Sequence, residues 1–227
     1  MLQISFGGTP PSPLAALRDT LFGDAPLNAW PSQKGPAMEE SPWCDFIEAR
    51  EALADGRESE AIACWQRVTM MPDLESRHYA QAWHFLRAHG VQPGADQAKE
   101  LLGVVIEVEV NGGVDLLAAY PNRSARYYNH SGKGIIWERP DASLDAAIDA
   151  VLSAGQTVLN MIGPWEGPRK GPPGKGGLRL NMISPSGLHF GEGPFAALAA
   201  EPMARPLIDA GTALMQQMIA KDTGGAR

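Results

Sequence analysis

The chain has 227 residues, 44% of them hydrophobic and 20% charged, which is the composition of a core-forming globular protein and excludes disorder over most of its length. A formal charge of −7 argues against nucleic-acid binding, a role that needs Lys and Arg to neutralise phosphates. No run approaches the ~20 apolar residues of a membrane helix, and Met1–Gly8 lacks the regions of a secretory signal, so a cytoplasmic protein is expected.

Residues 1–102 carry 8 basic and 14 acidic side chains, and residues 103–227 carry 11 and 12, so nearly all the net negative charge lies in the front half. This division predicts three regions: a Pro/Gly-rich arm over 1–40, helical hairpins over 41–102 and an α+β domain over 103–227. Within the arm, Pro10, Pro11, Pro13, Pro26, Pro31 and Pro36 exclude long regular structure. Leu14, Leu17, Leu21 and Phe22 recur at helical spacing, so Pro13–Phe22 is expected as one short helix, docked on the body or carried on a mobile arm.

Ser41 as N-cap and Pro42 at the first helical position start a helix that runs to Ala54 and is broken at Asp55-Gly56. A second helix is expected over Glu58–Met70, a third over Leu74–His89 and a fourth over Ala95–Leu102, joined by connections short enough for antiparallel hairpins. Cys44 and Cys64 lie inside these helices without metal-type spacing and read as buried, reduced thiols. The stretch Gly56-Arg57-x-x-Glu60-Ala61-Ile62-x-x-Trp65-x-x-Val68-x-x-x-Pro72 resembles the second half of a tetratricopeptide repeat. The resemblance covers residues 41–102 and departs at Ala49-Arg50, where the family has Leu-Gly. It implies repeat-style helix packing and a protein partner, while a plain helical bundle fits the same residues.

From Gly103 the apolar period changes to two. Val104–Val110, Val114–Tyr120, Ser124–Asn129 and Gly134–Glu138 predict a four-stranded antiparallel meander, its first strand wet on one face. A long helix is expected over Asp141–Ile162, with Gly155 as its weak point. A Gly/Pro-rich loop (163–177), a hairpin (Leu178–Ile183, Leu188–Gly191) and a last helix (Pro194–Lys221, broken near Pro202 and Pro206) follow. The fold class is thus α+β, an antiparallel sheet with two long helices on one face. The element order is loosely similar to type III secretion chaperones and to roadblock/profilin-like folds.

Two groups of cations could bind a ligand or anion: Arg123, Arg126, Tyr128, His130 and Lys133 around one hairpin, and Arg169, Lys170 and Lys175 in the 163–177 loop. Gly174-Lys175 fails the phosphate-loop pattern, because Gly176 follows where Ser or Thr is needed and a strand follows where a helix is needed. His78, His84, His89, His130 and His189 form no metal motif, and neither metal nor cofactor is expected. Ser184, Ser186 and His189 read as hairpin-turn residues, and Glu107 and Glu109 as a solvated strand face. The first functional expectation is a non-catalytic interaction or scaffolding protein that offers Trp43, Trp65 and Trp83 to a protein partner. The second is a small-ligand or anion sensor built from the 123–133 hairpin and the 163–177 loop, and the third a hydrolase or transferase of unrecognised type. Self-association through the sheet edge or last helix is open.

Overall fold

The computed structural model describes residues 13–31, 40 and 42–224; the Ser41 cap and half of the proline arm lie outside them. Helix α1 spans Pro13–Phe22, and a short 3-10 turn covers Leu27–Ala29. Helices α2 (Trp43–Ala54), α3 (Glu58–Met70) and α4 (Ser76–Ala88) follow. The break between α2 and α3 falls where Gly56 takes a left-handed φ of 76°.

The back half is α+β, as expected. Strands β1 (Gly103–Val110), β2 (Gly113–Ala119), β3 (Ala125–Tyr128) and β4 (Gly134–Trp137) form the meander, and α5 spans Asp145–Met161. Strands β5 (Gly177–Ser184) and β6 (Gly187–Pro194) form the hairpin, with α6 (Phe195–Ala200) and α7 (Arg205–Gly224) at the end. The hairpin joins the free edge of β1, giving one antiparallel sheet in the order β4-β3-β2-β1-β5-β6. Strand β1 is therefore central, with Glu107 opposite Leu116 on one side and Arg179 on the other.

Both faces of this sheet are covered. Val104, Ile106, Leu117, Leu178 and Leu180 pack under α5 and α7 against Ile148, Leu159, Leu207 and Leu214. The opposite face, with Val105, Leu116, Ala118 and Ile183, packs against Leu21 and Phe22 of α1 and Ala80 of α4. The expected wet face of β1 is thus a second core. Helix α4 is shared, because its Ala82, Phe85 and Leu86 close a third cluster with Phe46, Trp65 and Val68 of α2 and α3.

Three local expectations need correction. Residues 95–99 form turns, not a fourth helix: the Gly94 carbonyl accepts from the N–H groups of Gln97 and Ala98, and Leu102 N–H already bonds the Ile183 carbonyl at 2.8 Å. Leu101 and Leu102 then enter opposite sheet cores, the alternation of a strand. Helix α5 begins at Asp145 because the Asp141 carboxylate accepts from Ser143 N–H at 2.7 Å and holds a turn there. Gly155 marks close packing: a methyl group on it would lie 2.5 Å from Val104 Cγ2.

Candidate functional site

The two predicted cation groups do not meet. The 123–133 hairpin sits at the β3–β4 edge, whereas the 163–177 loop crosses the β5–β6 side. Most of these cations also have carboxylate partners. Arg123 binds Asp145 and Asp149, and buried Arg126 binds Glu138 and the Trp137 carbonyl. His130 contacts Asp115 at 3.1 Å, and Lys133 is exposed in the turn. Tyr128 lies half-buried at the α1 face. Arg169 is held by Asp19 and Asp24, Lys170 bonds Glu192 at 3.2 Å, and Lys175 is exposed.

The three tryptophans divide as well. Trp65 is fully buried, stacked 5.1 Å from Phe85, so this expected partner contact is a core residue. Trp83 is half-buried between two clusters. Trp43 is 38% exposed and packs edge-on against His78.

The expected solvated carboxylate, Glu107, is 0% exposed. Alternation turns it toward α1, where Arg18 Nε donates to its Oε1 at 2.7 Å. Arg179 Nη1 donates to Oε2 at 3.1 Å, and Arg179 Nη2 continues to Glu192 at 3.0 Å. The same arginines fasten the loop: Arg18 donates to the Lys170 carbonyl and Arg179 to the Gly171 carbonyl. Such a buried charge survives only because it is paired on both oxygens. The 163–177 loop is therefore a strapped segment, tied again to the end of α1 by Arg169.

This strapping creates a cleft of about 510 Å³. One wall is the Phe22–Asp24 stretch after α1, another is α4, the third is Pro164–Arg169, and the floor is the β5–β6 turn. Arg87 enters it from the last turn of α4, and its Nη1 donates to the Pro185 carbonyl at 2.6 Å. No carboxylate among the described residues lies within ion-pairing distance of Arg87, and burial pulls its guanidinium down to about 10. His84 stands beside it, its basicity lowered mainly by burial. Trp165 contributes an exposed ring wall, anchored by its Nε1 to the Pro168 carbonyl and packed on Phe190.

At the floor, Ser186 Oγ lies 3.0 Å from His189 Nε2. His189 is wholly buried, its Nδ1 is 3.3 Å from the Ile162 carbonyl, and desolvation lowers its pKa. A carbonyl cannot donate, so Nδ1 carries the proton and Nε2 is free to accept. The sequence places this serine and histidine three residues apart across a turn. It does not show that they meet, nor that Arg87 and His84 join them.

Elsewhere, ligand atoms of Asp45, Glu48 and Cys64 lie within 4.8 Å of one another. The Arg67 guanidinium occupies that cluster, 2.8 Å from Asp45 and 3.2 Å from both Glu48 and Cys64 Sγ, and burial raises the Cys64 thiol. It supplies the positive charge that a metal would bring. Compared with protein-family models, with curated proteins and with solved structures, the chain matches none.

Proposed function

We propose that the protein binds a small organic anion in the cleft between α4, the 163–169 strap and the β5–β6 turn. Arg87 carries this reading: it is a half-buried cation lining a cleft, bonded to a carbonyl, with no carboxylate at ion-pair distance among the described residues, and Asp24, which also lines the cleft, acts on it only from farther away. A buried charge is costly unless compensated, and a ligand carboxylate or phosphate compensates it with a charge-assisted bond. The ring of Trp165 offers apolar surface to the body of such a ligand. The reading keeps the loop of the anion-sensor expectation and replaces the 123–133 hairpin by α4.

A ligand that binds only the folded chain stabilises it by mass action, by about 2.7 kcal/mol at a hundred times its Kd. Thermal unfolding with a panel of small carboxylates and phosphate monoesters should therefore raise the Tm of the wild-type chain for at least one class. Arg87→Met should abolish that rise. A panel that leaves Tm unmoved, or an equal rise in Arg87→Met, would overturn the assignment.

A further inference from the structure

We propose that Ser186 is a nucleophile activated by His189, and that the cleft hydrolyses small carboxylic esters, Arg87 holding first the oxyanion and then the carboxylate product. This rests on the anion-binding reading and gives the anion an origin inside the site. Three observations converge. Ser186 is half-buried and lines the cleft, so its hydroxyl can meet a ligand. Its Oγ is at hydrogen-bond distance from His189 Nε2, and the imidazole is oriented from behind by the Ile162 carbonyl. This is the nucleophile, base and orienting group of acyl-transfer sites, with a backbone carbonyl as the third member.

The third observation concerns charge. The Arg87 guanidinium lies against the turn that carries Ser186: its Nη1 bonds the Pro185 carbonyl, and a methyl group added at Gly187 would stand 3.7 Å from its Nε. A desolvated cation next to the attacked carbonyl stabilises the charge that develops there more than water would. Ser184 Oγ, 2.9 Å from Ser186 Oγ, can turn its one proton from the Gly187 carbonyl to that oxygen as Ser186 loses its own.

The steps balance without any group beyond water. Ser186 Oγ forms a bond to the ester carbon as its proton passes to His189 Nε2, and the carbonyl electron pair moves onto oxygen beside Arg87. Collapse breaks the bond to the alcohol oxygen, which takes the proton from Nε2 and leaves. Water then repeats the attack on the acyl-serine, giving its proton to Nε2. Ser186 regains a proton from Nε2, and the carboxylic acid formed gives its own proton to water and leaves as the carboxylate. Ester and water become acid and alcohol.

A fluorophosphonate probe reacts covalently with serines of this kind. Incubated with the full chain and read by peptide mass spectrometry, it should modify Ser186. Ser186→Ala should remove the adduct, and His189→Gln should slow labelling about a hundredfold or more. Butyrate, tested in parallel by thermal unfolding, should still stabilise Ser186→Ala, because Arg87 remains. Labelling at another serine, or none at all while butyrate stabilises, would overturn the nucleophile and leave the anion site standing. Absence of both would overturn the two together. If His189→Gln does not fold, the comparison of wild type with Ser186→Ala decides alone.

Discussion

Glu107 stands in β1 between two arginines that reach it from different elements, Arg18 from α1 and Arg179 from the neighbouring strand. Removing its charge leaves two buried guanidinium groups facing each other. Glu107→Gln should therefore cost about 3–5 kcal/mol in denaturant unfolding, the cost of breaking a buried ion pair from one side. A loss below 1 kcal/mol would show that the arginines find other partners. In the sequence this residue looked solvated because its partners lie 89 and 72 residues away. A carboxylate alternating with valines carries no local sign of either arginine, so the residue-level character of the site was the least legible part. His78, His84 and His189 add a pH dependence at the same scale. Burial is the largest influence on each and lowers its pKa below the ordinary histidine value of 6.5. Below that pH the unfolded chain protonates them while the folded chain resists, so the unfolded state binds more protons. Stability should fall as pH drops from about 7 through 6.5 and should level off above it, as urea midpoints at stepped pH would reveal.

Among the elements, α4 has the most demanding position, since it packs against α2 and α3 on one side and the sheet on the other. The chain leaves α1 through Gly23, whose φ of 59° is left-handed and whose missing Cβ would lie 2.7 Å from the Arg77 carbonyl and 2.8 Å from Ala80 Cβ. Gly56 has a similar φ with nothing within 4 Å. Gly56→Ala should then cost about 1–2 kcal/mol of backbone strain alone. Gly23→Ala should add roughly 1–3 kcal/mol of overpacking, and chemical denaturation of the pair separates the two contributions. Equal losses would mean that α1 yields to the added methyl. Element existence was well announced by periodicity: Glu58–Met70 and the break between α6 and α7 fall where the apolar spacing and prolines place them. The missing fourth helix was not, because Leu101 and Leu102 suit either period and the choice is made by hydrogen bonding to β5.

At the level of the whole molecule, the helical front and the sheet share a core. Composition suggested a boundary near residue 102, but α1 and α4 roof the face of the sheet that carries Val105, Leu116 and Ala118. A fragment limited to residues 103–227 should expose that face and leave Glu107 with one arginine fewer. It should bind a hydrophobic dye and lose near-ultraviolet circular dichroism, the marks of lost packing. A fragment with a sharp, wild-type-like transition would establish two independent domains. The sequence conveyed the sheet and its long helices, but which layer covers the second face depends on contacts between distant segments.

The ties of α1 also set a timetable. This helix is made before its partners: Arg18 must wait for a residue 89 positions later, and Asp19 for Arg169, 150 positions later. At the usual pace of synthesis that second wait lasts roughly 8–30 s. Until β1 and β2 are made, Leu21 and Phe22 have no sheet to cover. Such a delay makes this stretch of the newborn chain a natural client for whatever shields apolar segments at the ribosome.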